Sequence, residues 1–440
     1  MTPCDLIIIG GGPGGYPAAQ IAAAEGLNVV LIERDQLGGT CLNRGCIPTK
    51  AMTRVAEVAM TVTDAADYGV ETVGCPVSID YQRATRHRDE VVTTMREGLA
   101  STMANVNIVI GEAVVDSTEP PTVTAAGTTF TAPRLIVATG AAPARLPIEG
   151  ADLALTSDDL TTGSTLPESL VVIGGGVIGL EFASIFNALG SKVTIVEFLP
   201  EILPPCDAEI AKRLRTALKR RGIDIITDAA VTALRPGMEI DYQRRGKTAT
   251  LQAEAVLMAV GRRAVVPRGL NVELNRNGSI KVDPETFETS AKGVYAVGDV
   301  NGICQLAHAA TAQAERVMGR EIDLSVIPSA VFTSPEVAMV GKTEKQALES
   351  GHDIAVGKAM FRSNGKAQAM GEPDGLVKVI VDRDNDLLLG AFIVGPHAAD
   401  LIEELSLAMS GRLPVREILS SVHAHPTLSE TVTAALAAAR

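Results

Sequence analysis

The sequence predicts an α/β protein in which two similar domains, each with a parallel sheet and a glycine turn, are followed by an α+β domain. Three observations predict it. The 440 residues are too many for one core, and length alone favours about three domains. The chain repeats itself at an offset of 164 residues, from Gly10 to Gly174, which aligns "DLIIIGGGPGGYPAAQIAAAEGLNVVLIE" with "SLVVIGGGVIGLEFASIFNALGSKVTIVE". Past Pro328 the character changes to a hairpin-like "GLVKVIVDRDNDLLLGAFIVG" and an amphipathic "ADLIEELSLAMSG" stopped by Gly411, with no phosphate loop.

Each copy of the repeat reads as strand, glycine turn, helix, strand. A β-branched apolar run enters G-x-G-x-x-G at Gly10, Gly12 and Gly15, and again at Gly174, Gly176 and Gly179. A second apolar run then ends on Glu33 or Glu197, in both cases 18 residues past the third glycine (33 minus 15, 197 minus 179). This is the Rossmann-like pattern for a dinucleotide. The first glycine permits the tight turn, the second lets a pyrophosphate approach the backbone, and the third lets the helix pack against its strand. Free N–H groups at the helix start hold phosphates without basic side chains. The terminal carboxylate is placed to accept hydrogen bonds from a ribose diol. One such turn is weak evidence; two, in register with strand, helix and acid, predict two bound dinucleotides. Glu197 would repel a 2′-phosphate, so NAD is expected there rather than NADP.

Between the blocks, "DEVVTTMREGLASTM" places Val92, Met95, Leu99 and Met103 at helical spacing. Strand-like pieces from "VNIVIGEAVV" to "RLIVATG" resemble a β-meander, "AEAVLMAVG" ends the second block in the same way, and "GVYAVGDV" is a further buried strand closing on Asp299. The expected divisions are a first dinucleotide domain over 1–145, a second over 146–264, a segment 265–327 that completes the first, and a C-terminal domain over 328–440.

Composition narrows the function. Hydrophobic residues are 46% and charged residues 21%, as in a soluble globular protein. A formal charge of −13 disfavours nucleic acid and anionic membrane as partners. The basic run "KRLRTALKRRG" reads as a solvated helix face with cations at the negative end of its dipole. No apolar stretch approaches the roughly 20 residues that span a bilayer, and no signal peptide is apparent, so a cytoplasmic location is expected. Six cysteines, at 4, 41, 46, 75, 206 and 304, are too sparse for a secreted disulfide framework.

Only Cys41 and Cys46, in "GGTCLNRGCIPTK", are close in sequence. Zinc would need about four ligands, and neither a second pair nor a nearby histidine supplies them, so no metal is expected. A structural staple closing so few residues gains little entropy, and a cytoplasmic thiol pool would reduce it. A redox pair fits better. Pro48 suits the first turn of a helix "PTKAMTRVAEVAM", and a thiolate near a helix start is stabilised by the dipole, which makes it both nucleophile and leaving group. Near the other end, "HAHPTLSE" holds His423, His425 and Glu430. Thiol exchange needs a base, and histidine, with a reference pKa of about 6.5, suits neutral pH; a carboxylate on its far nitrogen would fix the tautomer. Half a metal site, or a buried hydrogen-bonding histidine, fits these residues as well.

Taken together, "GGTCLNRGCIPTK", both glycine blocks, "ATG", "GVYAVGDV" with "LAHAA", "PSAVFTSPEVAMVG" and "HAHPTLSE" resemble the flavin disulfide reductases, in order from residue 5 to about 432. Within that family the resemblance is greatest to the branch that oxidises protein-bound dihydrolipoamide with NAD. It implies FAD on the first turn and NAD on the second. Cys41 would be the interchange thiol and Cys46 the thiol against the flavin, with Lys50 and Glu181 flanking the flavin's reactive edge. His425 would be the base and Glu430 its orienter. Asp299 would contact the ribityl chain, and Gly39, Thr40, Ala113, Ala138, Thr139, Gly140, Leu306, Ala307 and His308 would also meet FAD. Val177, Ile178, Val231 and Gly261 would complete the NAD site.

The resemblance further implies that the C-terminal domain forms a homodimer and sends its histidine into the partner's site. The macromolecular partner would be a lipoyl-bearing acyltransferase subunit of a 2-oxoacid dehydrogenase complex or a glycine cleavage carrier protein. Two features depart from the family pattern: the segment "AVVPRGLNVELN" after "GRR" is short, and Cys304 and Gln305 stand before "LAH" where apolar residues are common. A glutathione reductase-like enzyme is the nearest rival, although basic residues usual there are replaced by "VEFLPE". A non-catalytic FAD-binding partner subunit is the rival from another class.

Overall fold

A computed structural model of the chain describes residues 1–71 and 78–440. Cys75 lies outside the described residues. The elements that position the site are, in order, β1 (Leu6–Ile9), α1 (Tyr16–Ala24), β2 (Val29–Glu33), α2 (Gly39–Arg44), α3 (Cys46–Thr63), α4 (Tyr81–Thr102), β3 (Asn107–Ile110), a meander β4 (Val114–Thr118), β5 (Pro121–Ala125) and β6 (Thr128–Thr131), and β7 (Arg134–Val137). The second block gives β8 (Ser169–Ile173), α5 (Val177–Ala188), β9 (Lys192–Val196), α6 (Ala208–Arg220), β10 (Asp224–Ile226) and β11 (Ala255–Met258). After β12 (Val294–Ala296) and α7 (Ala307–Val317) come β13 (Ser329–Val331), β14 (Glu336–Gly341), β15 (Ile354–Met360), β16 (Leu376–Asp382), β17 (Leu388–Gly395), α8 (Ala398–Ser410) and α9 (Glu430–Ala438).

The first sheet is parallel, in the order β12-β7-β1-β2-β3, and the second is parallel in the order β10-β9-β8-β11. Strands β1 and β2 are buried along their whole length, which is why they read as unbroken apolar runs rather than alternating ones. β12 returns to the first sheet from beyond the second block. The C-terminal sheet is antiparallel, in the order β13-β14-β17-β16-β15. A shared core runs from α3 and α5 through the second sheet into this third one, joining Met52, Phe186, Ile195 and Phe392.

The glycine turns are built by close approach. Gly10 has φ +104°, and a Cβ there would meet the Ala138 carbonyl oxygen at 2.3 Å. A Cβ on Gly15 would meet the Gly10 carbonyl oxygen at 1.8 Å, so only glycine lets α1 lie on β1. The second block repeats this, with 2.1 Å between a Cβ on Gly179 and the Gly174 carbonyl oxygen.

The helices bear on three local expectations, one of them as a correction. The helix expected to open at Pro48 starts two residues earlier, with Cys46 as its first residue and Gly45 as cap, because Gly45 supplies the break that separates it from α2. α8 ends at Ser410 with Gly411 as its cap, as expected, and the left-handed residue that follows is Arg412, at φ 51°. Met95 lies on the exposed face of α4, whereas Val92 and Met103 are buried. Among the described residues, no helix is long and apolar enough to cross a membrane.

Candidate active site

A cavity of about 1070 Å³ opens at the C-terminal edge of the first sheet, where the strand order of an open α/β sheet leaves a crevice. It is larger than a typical small-molecule pocket of roughly 300–1,000 Å³. Gly10, Gly12, Glu33, Gly39, Thr40, Ala113, Ala138, Thr139, Gly140, Asp299, Leu306, Ala307 and His308 line it. Cys41, Cys46, Lys50, Val177, Ile178 and Glu181 line it as well. A Cβ on Gly39 would strike the Gly12 α-carbon at 2.7 Å, so these two backbones close together form the cradle that a pyrophosphate requires. Residues missed by sequence reasoning also face the cavity, among them Arg262, Phe332 and, from the C-terminal unit, Glu403. Arg262 and Phe332 stand in the quoted stretches "GRR" and "PSAVFTSPEVAMVG" but were given no role there, and Glu403, within α8, lies in no motif; the fold alone brings the three to one cavity.

Glu33 is buried, and both its oxygens are engaged by backbone: Gly11 N–H donates at 2.7 Å and Asp35 N–H at 2.8 Å. Burial pushes its carboxyl up, opposed by the Gly11 amide, by the charge and amide of Arg34, and by Arg44. Glu197 repeats the arrangement, accepting from Gly175 N–H and from Leu199 N–H. Each acid therefore stiffens its own glycine turn, in addition to the ribose role expected of it, and a carboxylate has lone pairs enough for both.

The cysteines are brought together by the break at Gly45. Cys41 sits in the middle of α2 and Cys46 at the first position of α3, where amides are unpaired and the dipole is positive. Both thiols are free, and both line the cavity. The neighbouring Cys41 thiol brings Cys46 down to about 7 against the effect of burial, with Lys50 and its own amide helping. Cys41 is pushed well above the usual thiol range, first by the neighbouring Cys46 and then by burial. A 240 nm titration of the reduced protein is expected to show one thiolate appearing across about pH 7, and Cys46→Ser to remove that step.

Lys50 and Glu181 are 131 positions apart, yet Lys50 Nζ donates to both carboxylate oxygens at 3.1 and 2.9 Å. The Phe332 N–H donates to the same carboxylate at 3.0 Å, and the ammonium sits 4.3 Å from the centre of the Phe332 ring. The pair is thus held on one wall of the cavity, one turn along α3 from Cys46. Asp299 is raised by burial, with Arg262 opposing at 3.7 Å. Its loop is fixed from behind by buried Gln313, whose side-chain oxygen accepts from Gly298 N–H at 2.8 Å and from Asn301 at 2.9 Å. Cys304 is half-buried and raised by that burial, and Gln305 lines the cavity.

Of the second turn, Val177 and Ile178 reach the cavity, while Gly174, Gly176, Gly179 and Glu197 do not line it. A Cβ on Gly176 would meet nothing within 4 Å, so its backbone is open to an approaching ligand. Gly261 is likewise open, at φ +110°. Val231 is instead nine-tenths buried in the core beside the second sheet.

His425 and Glu430 are paired, with 2.9 Å between Nδ1 and Oε1, and Glu430 also accepts from Thr427 N–H at 2.9 Å. These bonds, the Thr427 amide first, hold the Glu430 carboxyl below the usual range. Nδ1–H donating to Glu430 leaves Nε2 as the free basic nitrogen. The ring does not line the cavity of its own chain, and its side chain is 79% exposed. His423, by contrast, is half-buried against Glu404.

Residues 4–314 match the family model of the pyridine nucleotide-disulphide oxidoreductases, and residues 327–436 match the dimerisation domain of the same family. The chain is 38% identical to a dihydrolipoyl dehydrogenase of Bacillus subtilis, covering 99% of this chain and 98% of that one. It is 37% identical to the dihydrolipoyl dehydrogenase of Thermus scotoductus, covering 98% and 96%. Among solved structures, the HOCl-induced flavoprotein disulfide reductase RclA of Escherichia coli is similar at a TM-score of 0.87 and 29% identity, covering 99% and 100%. The chain belongs to the pyridine nucleotide-disulphide oxidoreductase family.

Proposed function

We propose that the protein is a dihydrolipoyl dehydrogenase that binds FAD on the first turn and NAD on the second, and oxidises protein-bound dihydrolipoamide to lipoamide. The observation that carries this reading is the cavity in which the Cys41–Cys46 pair, with Cys46 lowered to about 7, lies beside the Gly10–Gly15 turn and the Lys50–Glu181 pair. The relatives named dihydrolipoyl dehydrogenase support the substrate.

In the oxidised enzyme Cys41 and Cys46 form a disulfide. A substrate thiol gives its proton to His425 Nε2 while its sulfur attacks Cys41, and Cys46 leaves as the thiolate that the helix start and Lys50 favour. The second substrate thiol then attacks the mixed disulfide, expelling Cys41 and closing the lipoamide ring, and Cys41 takes up a proton. Two substrate S–H bonds have become one S–S bond, and the enzyme disulfide has become a Cys41 thiol, which holds the second substrate proton, and a Cys46 thiolate, with the first proton on His425. Bound FAD supplies the route by which that electron pair leaves as a hydride for NAD. The Lys50 ammonium, clamped by Glu181, keeps a fixed positive charge near the thiolate.

His425 is exposed on its own chain and outside its own cavity, which supports a homodimer in which each copy completes the other's site. We infer that the substrate is carried on a lipoyl-bearing acyltransferase subunit of a 2-oxoacid dehydrogenase complex or on a glycine cleavage carrier, in the cytoplasm. The direct test follows NADH formation from dihydrolipoamide and NAD. Wild type is expected to turn over, and Cys41→Ser to lose at least about 10³-fold. Equal rates for the two, or faster oxidation of NADPH by glutathione disulfide in the wild type, would overturn the reading.

A further inference from the structure

His423 stands two residues before the proposed base in a stretch, 421–429, that contains no regular helix or strand. Both of its ring nitrogens face acceptors. Nε2 is 2.7 Å from Glu404 Oε1 on α8, and Nδ1 is 3.1 Å from the Ser421 carbonyl oxygen. A neutral imidazole has one N–H and can satisfy only one of these, whereas an imidazolium satisfies both. The contrast with His425 is direct, since that ring has one acceptor partner and one free nitrogen.

The rest of the stretch is tied down near its C-terminal end, where Glu430 holds His425 and the Thr427 amide. Asn364 donates to the Thr427 carbonyl at 2.9 Å, and the Thr427 hydroxyl donates to the Ala424 carbonyl at 2.7 Å. The His423–Glu404 contact fastens the segment to α8. Glu404 on α8 and Glu430 at the start of α9 are the charged groups facing the His423 ring, with Glu404 acting first and burial opposing.

We propose that His423 is a positioning residue, held as an imidazolium between Glu404 and the Ser421 carbonyl, and that this ionic clamp sets the placement of His425 for thiol exchange. The proposal rests on the function proposed above. The sign of its pH dependence follows from the partners. Glu404 raises His423, so the clamp is complete below the ordinary histidine range and is lost as pH rises through the raised value. Thiol exchange therefore weakens on the alkaline side, while transfer from NADH to a dye such as ferricyanide, which bypasses the exchange step, does not.

The test uses the full-length holoenzyme with ¹⁵N-labelled histidine, His423→Ala, His423→Gln and Glu404→Gln. The wild-type His423 ring is expected to be protonated on both nitrogens at pH 7, and to titrate at lower pH in Glu404→Gln. His423→Ala is expected to lower kcat for dihydrolipoamide oxidation by about 10-fold or more with the ferricyanide rate unchanged. His423→Gln, whose amide donates to Glu404 at any pH, is expected to recover part of kcat and to flatten the alkaline decline. A neutral His423 ring at pH 7, or full exchange activity in His423→Ala, would overturn the proposal. A wild type without dihydrolipoamide activity but with a doubly protonated His423 would overturn the substrate reading and the exchange role, and leave the clamp itself standing.

Discussion

Mixing two inactive variants is expected to restore activity. His425→Gln and Cys41→Ser should each lower NAD reduction by dihydrolipoamide by about 10³-fold or more, because one removes the base and the other the attacked sulfur. Neither loss can be cured within one chain. If the base of one copy serves the cysteines of the other, random assortment makes half of the dimers mixed, and each mixed dimer carries one site with both groups intact. Co-expressed subunits with different affinity tags should thus regain about a quarter of wild-type activity, concentrated in the doubly tagged fraction. The physical ground is the exposure of His425 on a chain whose cavity it does not line. No recovery in the doubly tagged fraction would mean that base and thiol belong to one chain.

The second large effect concerns stability. Lys378 in β16 and Asp207, the cap of α6, are both almost fully buried and pair at 3.0 Å, joining the second block to the C-terminal sheet. Glu344 takes a further bond from Lys378 at 2.6 Å, and these two carboxylates raise the lysine although burial opposes them. Asp207 also accepts from Glu209 N–H at 3.0 Å. Asp207→Ala removes the cap and strips the buried ammonium of one partner, for a loss of about 3 kcal/mol, read as a fall in Tm of roughly 3–6 °C in a chain this long. Adding Lys378→Met should return most of it, since an apolar pair of similar volume needs no compensation. A Tm change under about 1 °C for Asp207→Ala would show that Glu344 alone suffices.

The two glycine blocks, the cysteine pair and the histidine motif were legible because each is local. The approach of each helix to its strand depends on backbone contacts close in sequence, Gly15 on Gly10 and Gly179 on Gly174, and the glycine spacing states that geometry almost directly. The family resemblance added roles that spacing does not carry, and the family itself is shown by the matches over 4–314 and 327–436. Less legible was the start of α3. Pro48 drew attention as a helix-start residue, but Gly45 makes the break, and this shift puts Cys46 rather than Pro48 at the helix's first position. The difference is two residues, yet it places Cys46 within the first turn of α3 rather than ahead of it.

By itself the sequence determined the α/β architecture, the pair of dinucleotide turns and the residue types for thiol chemistry, since periodicity, glycine spacing and short motifs are all set within some thirty residues of chain. Only the tertiary structure decided that Lys50 meets Glu181 and Phe332, that Lys378 meets Asp207, that His423 faces two acceptors, and that His425 stays out of its own cavity. Those contacts join segments brought together by packing of whole sheets and helices. Their energies depend on burial and on what else occupies the space, which a linear pattern does not contain.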